Sequence, residues 1–281
     1  CEFDHADIYQ DLLHIKKEFE KFLRLIPKNG QIIACIDDPT VRDILKANNF
    51  KAETYGVGVE SHWHASEFSD TGNGIFVKIR KGADCVASGF LPLVGRHNVL
   101  NAVAAVAAVE KVGVLPQVAI DSLMSFKGVA RRQQISNLNS NIMLVDDFAH
   151  HPSEVRETLM GFRLRFPNRR LIAVFEPRTN TSRRSIFQGK YVDSFMPANV
   201  IALRDPPEPW KAPPNDLFSS SQLARDLTER GKIARAFPDA SSIIDFLISC
   251  IRSEDVVIVM SNGGFENLTL RLLTKVEDFE K

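Results

Sequence analysis

The chain has 281 residues, 44% of them hydrophobic and 25% charged, with 35 basic side chains balanced by 35 acidic ones. That composition fits a globular protein of about two domains, and a net charge of zero argues against nucleic acid or an anionic membrane as partner. The cysteines Cys1, Cys35, Cys85 and Cys250 stand far apart with no C-x-x-C pair, so neither a zinc knuckle nor a disulfide framework is expected, and a reduced, cytoplasmic compartment is.

The first residue is Cys1 rather than Met, inside a polar stretch that contains Asp4, His5 and Asp7; the sequence reads as an excerpt of a longer protein. Residues 11–25 carry helical spacing through Leu12, Ile15, Phe19, Phe22 and Leu23. Residues 31–36 read as a strand stopped by Asp37-Asp38-Pro39. Strand-like runs at 65–68, 75–80 and 85–88, with a turn at Thr71-Gly72-Asn73-Gly74, predict a small antiparallel edge. His62 and His64 flank Trp63 on this edge and read as solvated residues, a metal site being the alternative. An alanine-rich helix is predicted over 99–109, a second helix over about 116–126, and a domain joint at Lys127-Gly128-Val129. Beyond the joint, strand and helix units alternate to the end, as in a doubly wound sheet. The proline-rich segment 205–221 reads as a surface loop, with a lid over a site as the alternative.

Three strands in this half share a form. Leu144-Val145 runs into Asp146-Asp147-Phe148-Ala149-His150-His151-Pro152, Leu171-Ile172-Ala173-Val174-Phe175 into Glu176-Pro177-Arg178-Thr179, and Val256-Val257-Ile258-Val259-Met260 into Ser261-Asn262-Gly263-Gly264. Apolar runs without polar alternation suit parallel strands buried on both faces. In open α/β sheets ligands bind beyond the carboxyl ends of the strands, where a following helix offers unpaired N–H groups to an anion. The three loops are therefore expected to share one rim, although any one of them could be an ordinary turn.

Leu93-Val94-Gly95-Arg96-His97-Asn98-Val99-Leu100-Asn101-Ala102, then Gly128-Val129-Ala130-Arg131-Arg132, then the Asp146–Pro152 block resemble, in order and spacing, the Mur ligase family of cell-wall synthesis. The resemblance implies an α/β protein: the C-terminal part of the family's central ATP-binding domain over 1–127, then a Rossmann-like C-terminal domain with a mainly parallel sheet over 128–281. It also implies a bacterial cytoplasmic enzyme that uses ATP and Mg2+ to join an amino acid or peptide to UDP-N-acetylmuramate through an acyl phosphate. The loops after Phe175 and Met260 resemble the peptide-adding kind, whose acceptor is the murein tripeptide L-alanyl-γ-D-glutamyl-meso-diaminopimelate. An alanine-adding enzyme or a binding module without catalysis are the alternatives. No G-x-G-x-x-G follows a strand, which argues against a dinucleotide-dependent dehydrogenase. The family's Gly-Lys-Thr phosphate loop is also absent from these residues, so the chain alone is expected not to form an amide bond.

The same resemblance supplies expected roles. His5 would be a metal ligand, or else a structural histidine; His97 and Asn101 would meet the adenine. Arg131 and Arg132 would reach ATP phosphates across the domain joint, a guanidinium fork matching phosphate oxygens, and Asp147 would take the ribose hydroxyls. His150 would contact the sugar-linked or acyl substrate, with Arg132 as its catalytic companion and His151 as a helix cap. Arg178 and Arg183 would bind carboxylates of the incoming peptide, and Ser261 with Asn262 its far end. Phe148 stands where many relatives carry tyrosine.

Overall fold

The computed structural model describes residues 1–58, 60–137 and 141–279, with 276–279 as backbone. The chain divides into two compact units, Cys1–Lys127 and Gly128–Lys281. Among the described residues no helix is long and apolar enough to cross a membrane.

The first unit contains α1 (Leu12–Arg24), β1 (Ile33–Cys35), α2 (Pro39–Ala47), β2 (Glu53–Gly56), β3 (Trp63–Asp70), β4 (Ile75–Lys81), β5 (Asp84–Leu91), α3 (Arg96–Glu110) and α4 (Pro116–Leu123). Helix α1 starts where Asp11 accepts the His14 N–H at 2.7 Å, and α2 where Asp38 accepts those of Thr40 and Val41, with Pro39 in the first turn. The sheet order is β1-β2-β3-β4-β5: the first three strands are parallel, and β3-β4-β5 form the antiparallel meander expected from the sequence. Ile75, Val77 and Ile79 point from β4 into a core with Val99, Val103 and Val106 of α3 and Ile120 of α4. Two features escaped the sequence pattern. Strand β2 is only four residues long, and the apolar stripe of α1 stays largely outside, with Phe22 61% exposed while Ile15 is buried.

The reading of His62 and His64 as solvated holds for His62 and fails for His64. Trp63 and His64 are both buried, and exposed His62 turns its Nδ1 to the Thr54 N–H at 3.1 Å. The strand begins at this point, and its first residues are covered by α3 and by β2 and β4 on either side. Among the described residues no group of three or more His, Cys, Asp or Glu could hold an ion.

The second unit contains β6 (Gln134–Asn137), β7 (Met143–Asp147), α5 (Pro152–Arg165), β8 (Leu171–Phe175), α6 (Gln188–Ser194), β9 (Val200–Arg204), α7 (Ser220–Glu229), β10 (Ile233–Phe237), α8 (Ala240–Cys250), β11 (Val256–Met260) and α9 (Leu268–Phe279). Its sheet runs β10-β9-β8-β11-β7-β6, parallel throughout except for the edge strand β6. Strands β8 and β11 are buried along their whole length, as their unbroken apolar runs require. On one face Leu144, Ile172 and Val259 pack with Ile243 and Leu247 of α8 and Leu268 of α9. On the other, Phe175 lies 5.1 Å from Tyr191 of α6, which is 5.5 Å from Phe218. Each such side chain contributes about 1.5–3 kcal/mol by leaving water. Strands β7 and β8, consecutive in the chain, lie on either side of β11. The strand order therefore switches there, and the crevice beyond β11 is the ligand position that this topology creates.

Candidate functional site

Strand β7 delivers the acid pair to this crevice. Asp147 is buried, its Oδ1 accepting the Ala149 N–H at 2.7 Å and its Oδ2 the Gln133 N–H at 2.9 Å. Burial lifts its pKa above the usual carboxylate range, against the pull of those two N–H groups. Asp147 thus closes two loops, and a ribose contact would fall to its remaining lone pairs. Asp146, its neighbour, is lifted by burial as well, opposed by Arg131 at 3.7 Å. His151 caps α5: its Nδ1 is 2.7 Å from Ser153 Oγ, and the Glu154 carboxylate accepts the His151 N–H in return, a capping box with Pro152 in the first turn. The capping role expected for His151 is what the structure shows. His150 turns its Nδ1 toward the Phe148 carbonyl at 3.1 Å and the Glu154 carboxylate at 3.3 Å. Both of these oxygens accept, so the ring donates from Nδ1.

Arg131 and Arg132, alike in sequence, separate in space. Arg131 donates from Nη2 to the carbonyls of Ser261 and Gly263, each at 2.6 Å, and so fastens the β11 loop rather than facing outward. Arg132 has a side chain 53% exposed, lies 4.9 Å from the centre of the Phe148 ring and 4.0 Å from Glu154. It is the member of the pair able to meet an anion. Arg131 and Gln133, on either side of it, have φ of 58° and 53°. A non-glycine residue in that region costs on the order of 1–2 kcal/mol, a strain typical of functional loops.

At the ends of β8, β9 and β11 the arrangement is tighter than the sequence suggested. Glu176 has no exposed surface; its Oε2 accepts from Ser261 Oγ at 2.6 Å, and its Oε1 lies 3.4 Å from Arg204 and 3.8 Å from Arg178. Ser261, expected to bind the far end of a peptide, is itself buried, with its Oγ donating to Glu176. Asn262 is half-buried beside it. Arg204 pairs on its other side with Glu266, in a turn where Phe265, Glu266 and Asn267 all have φ between 43° and 56°. Arg178 leans over Gly263, where a β-carbon would sit 2.1 Å from its Cδ, and 38% of its side chain remains exposed.

Arg183 sits deeper than Arg178. It was expected at a peptide carboxylate, yet only 4% of its side chain is exposed. It donates from Nε to the Pro207 carbonyl at 2.7 Å and from Nη2 to Glu208 at 2.9 Å. Arg184 holds Asp216 of the same segment at 2.6 Å. Residues 205–219 are therefore a loop strapped down by two arginines and by the buried Phe218. Sequence reasoning gave no individual role to Glu176 and Gly263, which it placed on the rim, and passed over Arg204 and Glu154; the one available signal was a lone glutamate ending a wholly apolar strand.

In the first unit, Asn98 joins the two residues expected at adenine. Its Nδ2 lies 3.1 Å from His97 Nε2 and donates to the Val94 carbonyl at 2.7 Å, and its Oδ1 accepts from exposed Asn101 at 3.4 Å. His5, at φ 54°, sits on an exposed turn with its Nε2 4.0 Å from Asp4. By themselves the described residues do not make a metal centre. Magnesium commonly takes one or two protein ligands plus phosphate oxygens and water, so His5 could supply no more than a single contact.

These two units define a class. Residues 2–109 match the profile of the Mur ligase middle domain, and residues 131–263 that of the Mur ligase glutamate ligase domain. The chain belongs to the Mur ligase family and carries its middle and C-terminal domains. Among its relatives, a UDP-N-acetylmuramate–L-alanine ligase of Acetivibrio thermocellus is 32% identical over 265 residues, which are 93% of this chain and 56% of that protein. One from Caldanaerobacter subterraneus is 30% identical over 265 residues, with the same coverage of 93% and 56%. A murein peptide ligase structure from Psychrobacter arcticus superposes with a TM-score of 0.65 at 27% identity, covering 93% of this chain and 54% of that one. The Thermotoga maritima UDP-N-acetylmuramate–alanine ligase superposes with a TM-score of 0.77 at 20% identity, covering 98% and 57%, a likeness of fold alone. The chain spans about half the length of these relatives.

Proposed function

We propose that this chain is the middle and C-terminal part of an ATP-dependent ligase that joins L-alanyl-γ-D-glutamyl-meso-diaminopimelate to UDP-N-acetylmuramate. The observation that carries the reading is a pair of partly exposed guanidiniums at the strand ends: Arg132, over the Phe148 ring, and Arg178, packed on Gly263 of the Ser261–Gly263 loop. Arg131 holds that loop's carbonyls, and Arg178 packs on Gly263. One guanidinium suits the transferred phosphate and the other an acceptor carboxylate. In such a ligase the muramate carboxylate attacks the γ-phosphorus of ATP, releasing ADP and leaving an acyl phosphate. The acceptor amine then attacks the acyl carbon, phosphate departs, and the amine loses a proton. Arg132 would offset charge on the phosphate through both steps. His150, oriented by the Phe148 carbonyl and Glu154, is the group we assign to the incoming amine or its proton. His97 and Asn101, with Asn98 between them, would take the adenine; magnesium, when bound, would neutralise the polyphosphate, with His5 as its proposed contact.

The tripeptide assignment rests on the Glu176-Pro177-Arg178-Thr179-Asn180-Thr181 and Ser261-Asn262-Gly263-Gly264 loops, which resemble the peptide-adding members. The names of the relatives from Acetivibrio and Caldanaerobacter favour L-alanine instead. Initial rates of phosphate release by the natural full-length protein, with UDP-N-acetylmuramate, ATP, magnesium and either acceptor, decide between them. Faster turnover of the tripeptide is expected; a preference for L-alanine would assign the chain to the alanine-adding enzymes, and no release with either would leave a binding module.

A further inference from the structure

The space above Gly263 is filled by the middle of the Arg178 side chain. A β-carbon there would lie 2.1 Å from Arg178 Cδ, 2.3 Å from Nε and 3.0 Å from Cζ, and the three nearest atoms all belong to that one side chain. Gly263 has no left-handed backbone to explain its identity; the need is for room. Its own position is set from two directions, its N–H donating to Ser261 Oγ at 3.0 Å and its carbonyl accepting from Arg131 at 2.6 Å. A bulkier residue would therefore displace Arg178 and leave the loop in place. Behind Arg178 stands Glu176, at 3.8 Å, which is an ion pair without a short hydrogen bond. That carboxylate is immobilised by Ser261 at 2.6 Å and by Arg204, which is anchored in turn by Glu266. Arg178 is thus attracted to a fixed charge but not saturated by it, so its donors can still fork onto a second carboxylate.

We propose that Gly263 and the buried Glu176 are positioning residues that fix where Arg178 presents its guanidinium, and so determine how well the acceptor is bound. This rests on the reading of Arg178 as the acceptor contact. The test is a double-mutant cycle in the natural full-length protein with Gly263→Ala, Arg178→Ala and the double variant, reading the KM for the acceptor and for ATP and the melting temperature of each. Gly263→Ala is expected to raise acceptor KM about 10-fold with ATP KM within about 2-fold, and the double variant to match Arg178→Ala within about 2-fold, because the glycine acts through the arginine. A double variant whose loss is the product of the two single losses would overturn the proposal, as would an Arg178→Ala variant with unaltered acceptor KM. Should Gly263→Ala melt far below the parent, Glu176→Gln, which keeps an acceptor for Ser261 but removes the charge, replaces it in the same cycle with the same two outcomes. The cycle is read on whichever acceptor the unmodified protein prefers, so an error about the tripeptide and an error about the positioning are seen separately.

Discussion

Replacing Arg183 by alanine distinguishes a strap from a ligand contact. Three donors would be lost: Nε to the Pro207 carbonyl at 2.7 Å, Nη2 to Glu208 at 2.9 Å, and a longer bond to Asn180 at 3.3 Å. A bond from a charged donor is worth roughly 1.5–3 kcal/mol where both groups are buried. The Glu208 bond must be discounted, since 34% of that side chain is exposed and water can replace the partner. The Pro207 bond and the packing of the buried stem dominate, giving an expected net loss of about 2–4 kcal/mol. The consequence should be local as well as global, because the Arg183 carbonyl also accepts the Phe218 N–H at 2.8 Å and Phe218 plugs the aromatic core. Urea unfolding of the 281-residue chain measures the global loss, and amide hydrogen exchange over residues 205–218 the local one. Stability within about 0.5 kcal/mol of the parent, together with a raised acceptor KM in the full-length protein, would refute the strap and restore Arg183 to the substrate.

His151→Ala should cost about 1 kcal/mol, the usual value of a lost N-cap, and leave acceptor and ATP constants nearly unchanged; a large loss of turnover would mean that the imidazole meets substrate. Burial raises the pKa of both Asp146 and Asp147, so the unfolded chain ionises first as pH rises. Their contribution to stability is then complete below the ordinary carboxylate value of about 4 and is lost as pH climbs through the folded values. Compared by urea titration at several pH values, the chain should lose stability relative to Asp146→Asn on going from acid to neutral pH, and a gain would contradict the assigned direction. Asn101→Ala in the full-length protein should raise the KM for ATP by a factor corresponding to about 1–2 kcal/mol without affecting the acceptor; the reverse pattern would move Asn101 away from the nucleotide.

Local pattern determined much of this protein. Period and caps were sufficient for α1, α3 and the β3–β5 meander, since Asp11, the alanine-rich run and the Thr71–Gly74 turn act within a few residues of themselves. The unbroken apolar runs of β8 and β11 announced strands buried on both faces, and so a rim where their polar loops meet. Only the tertiary structure decided which rim residues face outward. Arg131 and Arg132 are adjacent and chemically identical, yet one is tied to two carbonyls of a loop 130 residues away and the other is half-exposed over Phe148. Arg178 and Arg183 share one loop, but Glu208 and Pro207 capture the second while Gly263 and Glu176 leave the first partly open. A guanidinium binds whatever acceptor comes within reach, and that reach is set by long-range strand order, with β11 inserted between β7 and β8, which no local pattern encodes.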